Sequence, residues 1–145
     1  MTNNQYIDAY KKTQQSSNAV TTSHEIVRTL MKELVNSMQK IVLDIQDDRK
    51  RKQDTFLVDK VFEEKNARHK SKNLSKALSI IYGLQTSLDF DKALEIANNL
   101  FQLYEYCRHE IIKGFSQKIE DGIVKAIDVI KQIMEGWEEI PSIEN

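Results

Sequence analysis

Apolar residues in this chain recur at alternating steps of four and three, and they do so in four separate stretches. The first carries Val27, Met31, Leu34, Met38, Ile41 and Ile45, broadened by Ile26, Leu30, Val35 and Val42. The second carries Leu74, Ala77, Ile81, Leu84 and Leu88. The third carries Ala93, Ala97, Leu100, Tyr104, Cys107 and Ile111, and the fourth Ile119, Ile123, Ala126, Ile130, Ile133, Trp137 and Ile140. Such spacing holds side chains on one stripe of an α-helix and cannot serve a strand, whose faces alternate every second residue. Only four glycines and one proline interrupt the chain, and that proline, Pro141, lies past the last stripe. The stripes predict helices over about 23–47, 67–89, 90–113 and 117–140. Links as short as 88–91 and 114–117 force antiparallel neighbours. The expected fold is therefore all-α, an antiparallel up-down four-helix bundle over 23–140. An N-terminal arm (1–22) precedes it, an extra segment (about 48–66) separates helices 1 and 2, and a short tail (141–145) closes it.

Local signals mark the ends. Thr22-Ser-His-Glu25 has the form of a capping box. Asp89 is placed to cap the third helix, with Asp91 in its first turn. Lys113 and Gly114 read as that helix's C-terminus, and Ser116 as the cap of the fourth. Ser75, Ser79, Gly83 and Thr86 form a row of small side chains beside the second stripe. Between the first two stripes, Gln46 to Asp54 holds no apolar residue and reads as a solvated helical extension or a turn. Its Arg49-Lys50-Arg51-Lys52 run is a solvated charge cluster, with an acidic partner as the alternative. Phe56-Leu57-Val58 and Val61-Phe62 make an amphipathic island within this charged region. The first 21 residues hold isolated apolar points (Tyr6, Ile7, Tyr10, Ala19, Val20). They read either as a frayed tail or as an arm that docks on apolar surface elsewhere.

The third stretch carries more apolar surface than its stripe. Leu94, Ile96, Phe101, Leu103, Tyr106 and Ile112 lie off the stripe and spread round most of the circumference. A helix apolar nearly all round expects burial on more than one side. In a four-helix bundle each member has two neighbours and one side facing water, so the remainder is expected to belong to a partner. Ile80, Leu84, Ile96, Phe101, Leu103 and Tyr106 are the candidate groove contacts, while Tyr104 and Trp137 are expected to anchor the core.

Chemistry is harder to find. With 21 Lys and Arg against 22 Asp and Glu, the net charge is −1, which gives no footprint for nucleic acid or a membrane surface. No apolar run approaches the length of a bilayer span. One cysteine forbids an internal disulfide and suits a reducing cytosol, so the chain is expected in the cytoplasm. Cys107 falls on the seam as a small core hydrophobe. His24, His69 and His109 lie on different elements and form no metal constellation. No nucleophile elbow, phosphate loop or poised carboxylate pair is present, so no catalytic residue, cofactor or metal is expected. His109 to Ser116 superficially matches a histidine phosphotransfer signature, but the lysine lies four residues after the histidine rather than three. That turns it about 100° round the helix, away from a phosphate on the imidazole.

Several segments resemble one family. Leu74-Ser-Lys-Ala77-Leu-Ser-Ile-Ile81, Ser87-Leu88-Asp89-Phe90, Ile96-Ala97-x-Asn99-Leu100-x-x-Leu103-Tyr104-x-Tyr106 and the run from Ala126 to Trp137-Glu-Glu-Ile140 are similar to the FliS family of flagellin export chaperones. The similarity covers about 67–140. In the first half, Ser23 stands where the family has a proline, and the segment between the first two helices is about four turns longer. The resemblance implies an antiparallel helical bundle whose grooves seat the C-terminal region of flagellin, a segment disordered when free. It also implies contact with the flagellar export apparatus, through an N-terminal tyrosine best matched by Tyr10 with Ile7 beside it. A self-associating helical adaptor or scaffold is the alternative from a different functional class.

Overall fold

The structure, a computed structural model, describes residues 23–54 and 60–139, with side chains outside 52–63. Four α-helices account for nearly all of it: α1 (Ser23–Asp54), α2 (Lys60–Thr86), α3 (Leu94–Gln117) and α4 (Asp121–Glu139). The described residues contain no strand. Helix α1 packs on α2 and α4, and α3 packs on the same two, which is the square of an up-down bundle. The core lies where the four stripes meet. Leu30, Leu34, Met38 and Ile41 of α1 face Ala77 and Ile81 of α2, Tyr104 and Ile111 of α3, and Ile123, Ala126 and Ile130 of α4, all buried. Burying each of the Leu, Ile and Met side chains is worth about 1.5–3 kcal/mol.

Within the segment expected as an insert, the described residues are helical. Helix α1 continues to Asp54 and α2 begins at Lys60, so the two longest helices, of 32 and 27 residues, form a hairpin that overruns the other pair. Arg49 reaches Glu120, just ahead of α4, and Lys70 reaches Asp48. Among the described residues, only α1 and α2 continue beyond that level. Asn73 Nδ2 donates to Asp44 Oδ2 at 3.0 Å, so the two helices stay clipped together where the apolar stripe of α1 gives out.

The helix ends on either side of α3 also depart from the sequence expectation. Helix α3 starts at Leu94, not at residue 90, and its first turn has no side-chain cap. Asp89 caps the preceding turn instead: its Oδ1 accepts the N–H groups of Asp91 (3.0 Å) and Lys92 (3.1 Å). Gly114 does not end α3. The helix runs on to Gln117, carrying Ser116 with it, and Lys118 takes the left-handed conformation at φ 57° and ψ 44°. The N–H groups of Lys118 and Ile119 then both close on the Gly114 carbonyl, a helix-terminating geometry that glycine usually serves. Ile119, expected in the stripe of α4, sits in this turn and is half exposed.

At the opposite end, α1 and α4 lock together. The rings of His24 and Trp137 stack with centroids 5.0 Å apart and 13° between planes. Trp137 Nε1–H donates to the His24 carbonyl at 2.9 Å, and His24 Nε2 lies 2.7 Å from the Trp137 carbonyl. Trp137 is thus partly buried at the rim of the core rather than inside it.

Gly114 is buried for a packing reason. A Cβ at this position would lie 2.7 Å from the Ile119 carbonyl oxygen and 2.7 Å from the Ile123 side chain. Gly136, by contrast, has open space within 4 Å. Gly114→Ala is therefore expected to destabilise the protein by about 1–3 kcal/mol, through overpacking against backbone that cannot retreat. Gly136→Ala is expected to stabilise it by about 0.5–1 kcal/mol, because the helix interior loses a flexible residue. Thermal and urea unfolding followed by circular dichroism measures both, and a neutral Gly114→Ala would contradict the close approach.

Candidate partner-binding surface on the third helix

The inner face of α3 consists of Ala97, Tyr104, Cys107, Ile111 and Gly114, all buried. Burial has chemical consequences there. Loss of water holds Cys107 in its neutral form and pushes its pKa up to about 12, with the Glu110 charge adding to the effect. Its Sγ lies 3.7 Å from the Ala126 carbonyl of α4, which accepts the thiol hydrogen. Desolvation likewise raises the Tyr104 phenol, followed by the influence of Cys107. A thiol kept protonated and enclosed is a packing residue rather than a nucleophile.

The inner stripe fixes what the rest of α3 presents. At about 100° per residue, two apolar rows flank it. On the side of α2 stand Leu94, Phe101 and Ile112, with Phe90 from the preceding turn. On the side of α4 stand Ile96, Leu103 and Tyr106. Leu94 and Ile96 are 61% and 63% exposed, and Phe90, Leu103, Tyr106 and Ile112 also remain open to solvent. Phe101 is half-buried and meets Phe90 edge-on, with ring centroids 6.3 Å apart.

Polar groups hold the α2–α3 pair at this level. Gln85 of α2 donates through Nε2 to Glu105 Oε1 at 2.9 Å, and more weakly to the Phe101 carbonyl at 3.4 Å. Arg108 completes the clip from one turn further on, 3.0 Å from Glu105. The Arg108 hydrogen bond, then that of Gln85, holds the Glu105 carboxyl below its ordinary pKa. Between α3 and α4, Tyr106, Glu110, Lys113, Ile119, Gly122 and Lys125 line a half-open hollow of about 360 Å³.

Not every candidate lies on this surface. Ile80 and Leu84 are 2% and 1% exposed and belong to the core. Ile80 sits one turn from Lys76 and two turns from Asn73, which bond to Glu33 and Asp44 of α1, so it points into the α1–α2 seam. Leu84 shares its face with Ala77 and Ile81. Ile96, Leu103 and Tyr106 lie together on the α4 side of α3, while Phe101, half-buried, lies in the other row on the α2 side. Ile7 and Tyr10 lie outside the described residues. Sequence reasoning passed over Leu43, Tyr82 and Val124, which are also exposed. Tyr82 falls outside the stripe of its helix, and that was the available signal.

Among the described residues no group of three His, Cys, Asp or Glu side chains is placed to hold a metal ion. No described helix is long and apolar enough to cross a membrane. What α3 offers is a rigid apolar surface with a polar border.

Comparison with known proteins places this architecture. The family model for the flagellar protein FliS matches residues 6–144. The chain belongs to the FliS family. It is 32% identical over 72 residues to a flagellar secretion chaperone FliS of Vibrio cholerae serotype O1, a match covering 50% of this chain and 53% of that protein. A flagellar secretion chaperone FliS of Salmonella typhimurium is 35% identical over 72 residues, covering 49% of this chain and 53% of the relative. The chain thus spans about half the length of each of these FliS relatives. No solved structure matches it.

The inner face of α3 predicts a pH dependence with a definite sign. Cys107 and Tyr104 have folded pKa values raised above their unfolded ones, so their contribution to stability is complete below the unfolded values. For the thiol it should fade as pH rises from its ordinary value of 9.0 towards about 12, because only the unfolded thiol ionises in that window. Urea unfolding between pH 8 and 11 should show this decline, and Cys107→Ala should make it shallower. A thiol that reacts with a disulfide reagent as fast in the native as in the unfolded protein would contradict the enclosed site.

Proposed function

We propose that this FliS-family chain is an export chaperone. It binds the disordered C-terminal region of flagellin in the cytosol, prevents premature polymerisation and keeps the subunit competent for flagellar type III secretion. The observation that carries the reading is the pair of exposed apolar rows on α3, flanking a stripe that is itself fully engaged. The two relatives named as flagellar secretion chaperones support it.

The physics is that of a helix laid in a groove, coupled to folding of the guest. Covering five or six half-exposed Ile, Leu, Phe and Tyr side chains contributes roughly 5–8 kcal/mol gross at about 25 cal/mol per Å². Ordering a flexible segment costs about 2–5 kcal/mol or more. The net is favourable but modest, which suits a chaperone that must release its client. Leu94, Ile96, Leu103, Tyr106 and Ile112 are proposed as the contact residues, with Phe101 supporting them from beneath. The arm at 1–22, with Ile7 and Tyr10, is proposed to meet the export apparatus, and the family match that begins at residue 6 includes both positions.

Calorimetric titration of the intact chain with flagellin's C-terminal segment, paired with size exclusion and light scattering, tests the reading. A defined complex with a negative heat-capacity change is expected. The double variant Ile96→Asp/Leu103→Asp should weaken binding by about a hundredfold, roughly 2.7 kcal/mol, while leaving the thermal transition nearly unchanged because both side chains are exposed. A chain that self-assembles and ignores the segment would favour the scaffold reading instead.

A further inference from the structure

The α1–α2 hairpin carries a second surface of a different kind. Ten Lys and Arg but only four Asp and Glu fall between Arg49 and Lys76, in a chain whose net charge is −1. On α2 these cations are not scattered. Lys65, Arg68, His69, Lys72 and Lys76 follow the spacing of a single helix face and lie within an arc of about 100°. All five are exposed. Over its length of roughly 16 Å the face contains no carboxylate and no apolar side chain. Its N-terminal half belongs to the part of the hairpin that overruns α3 and α4.

Like charges four apart on a helix repel, and three such pairs occur here: Lys65 with His69 when the imidazole is protonated, Arg68 with Lys72, and Lys72 with Lys76. Local neutralisation is incomplete. Lys76 is 2.8 Å from Glu33 and Arg68 is 4.0 Å from Glu64, but among the described residues Lys65 and Lys72 have no ion-pair partner. Asn73 and Lys70, on the neighbouring face, are already committed to Asp44 and Asp48 of α1. The fold thus spends nearby acids on the α1–α2 seam and, among the described residues, leaves Lys65 and Lys72 of the outer face without an ion-pair partner.

We propose that this face, Lys65–Arg68–Lys72–Lys76 with His69, docks an acidic helical segment of a partner protein. Carboxylates on a helix laid alongside fall at the same intervals of three and four residues, so one register pairs several charges at once. The face holds no Phe, Tyr or Trp on which a base could stack, as single-stranded nucleic-acid sites do. It also holds no apolar row to enter a bilayer, as interfacial helices do. Contacts of this type set on-rate and register and weaken with salt. The surface is separate from the apolar rows of α3 and does not depend on what those rows bind.

Fluorescence anisotropy with the intact chain tests the assignment. The probe is a labelled peptide with glutamates at relative positions 0, 4, 7 and 11 on an alanine–glutamine background. A peptide of the same composition with its glutamates placed round the helix, an oligo-dT strand, and vesicles containing phosphatidylserine are the comparisons. The spaced peptide should bind about tenfold or more tighter than its rearranged counterpart. Raising salt from 50 to 300 mM should weaken it, and Lys65→Ala/Arg68→Ala/Lys72→Ala should lose it while keeping the thermal transition and any binding of the flagellin segment. Equal binding of the two peptides, an unaffected triple variant, or preferential binding of oligo-dT or vesicles would each overturn the proposal.

Discussion

The approach of α3 to α4 at Gly114 is the constraint on which the arrangement depends. With no side chain at that position, the α3–α4 turn and Ile123 come within a distance that a single methyl group would close. This contact fixes the rotation of α3 about its axis. Tyr104, Cys107 and Ile111 then face inwards, and the apolar residues beside them have no place in the core. The outward rows are a geometrical consequence of the inward stripe, because one helix cannot turn all its sides to two neighbours. The same glycine carbonyl accepts the bonds that end the helix at Lys118, so packing and chain reversal are set at one place.

Polar contacts elsewhere hold the frame around that constraint. The reciprocal bonds of His24 and Trp137 join the first turn of α1 to the last turn of α4. Gln85, Glu105 and Arg108 tie α2 to α3 beside Phe101. Asp44 and Asp48 keep the hairpin closed where the core gives out, around Ile45. These contacts are hydrogen bonds and ion pairs, and an exposed pair such as Arg108–Glu105 contributes little, about 0–1 kcal/mol. Their role is register: they fix which levels of neighbouring helices face one another, while apolar burial supplies most of the stability.

The bundle was legible from its four-three spacing, because that period needs only one buried face per helix and each stripe shows one. The ends were less legible. Lys113-Gly114 carries the composition of a helix stop, yet the glycine serves packing and the stop falls on a lysine, a residue type that does not announce a left-handed backbone. Asp89 has the right chemistry for a cap, but caps the turn before the helix. At the candidate surface, the excess of apolar residues on α3 was visible, since no single stripe holds Leu94, Ile96, Leu103 and Tyr106. The burial of Ile80 was not. Whether a residue beside a stripe is covered depends on how closely the next helix approaches, and that distance is settled by tertiary packing. The acids of α1 that bind Asn73 and Lys76 lie 29 and 43 residues away in the chain.

In the proposed role, a firm inner face of α3 and an open outer face are complementary: the first keeps the second in shape while a flexible guest folds against it. Methyl-resolved NMR on the intact chain, titrated with flagellin's C-terminal segment, tests this most directly. The account predicts shifts at the methyl groups of Leu94, Ile96, Leu103 and Ile112, with those of Ile80, Leu84, Ile111 and Ile123 almost unmoved. Shifts confined to the core methyls or to Leu43 of α1, with the outer rows of α3 silent, would contradict it.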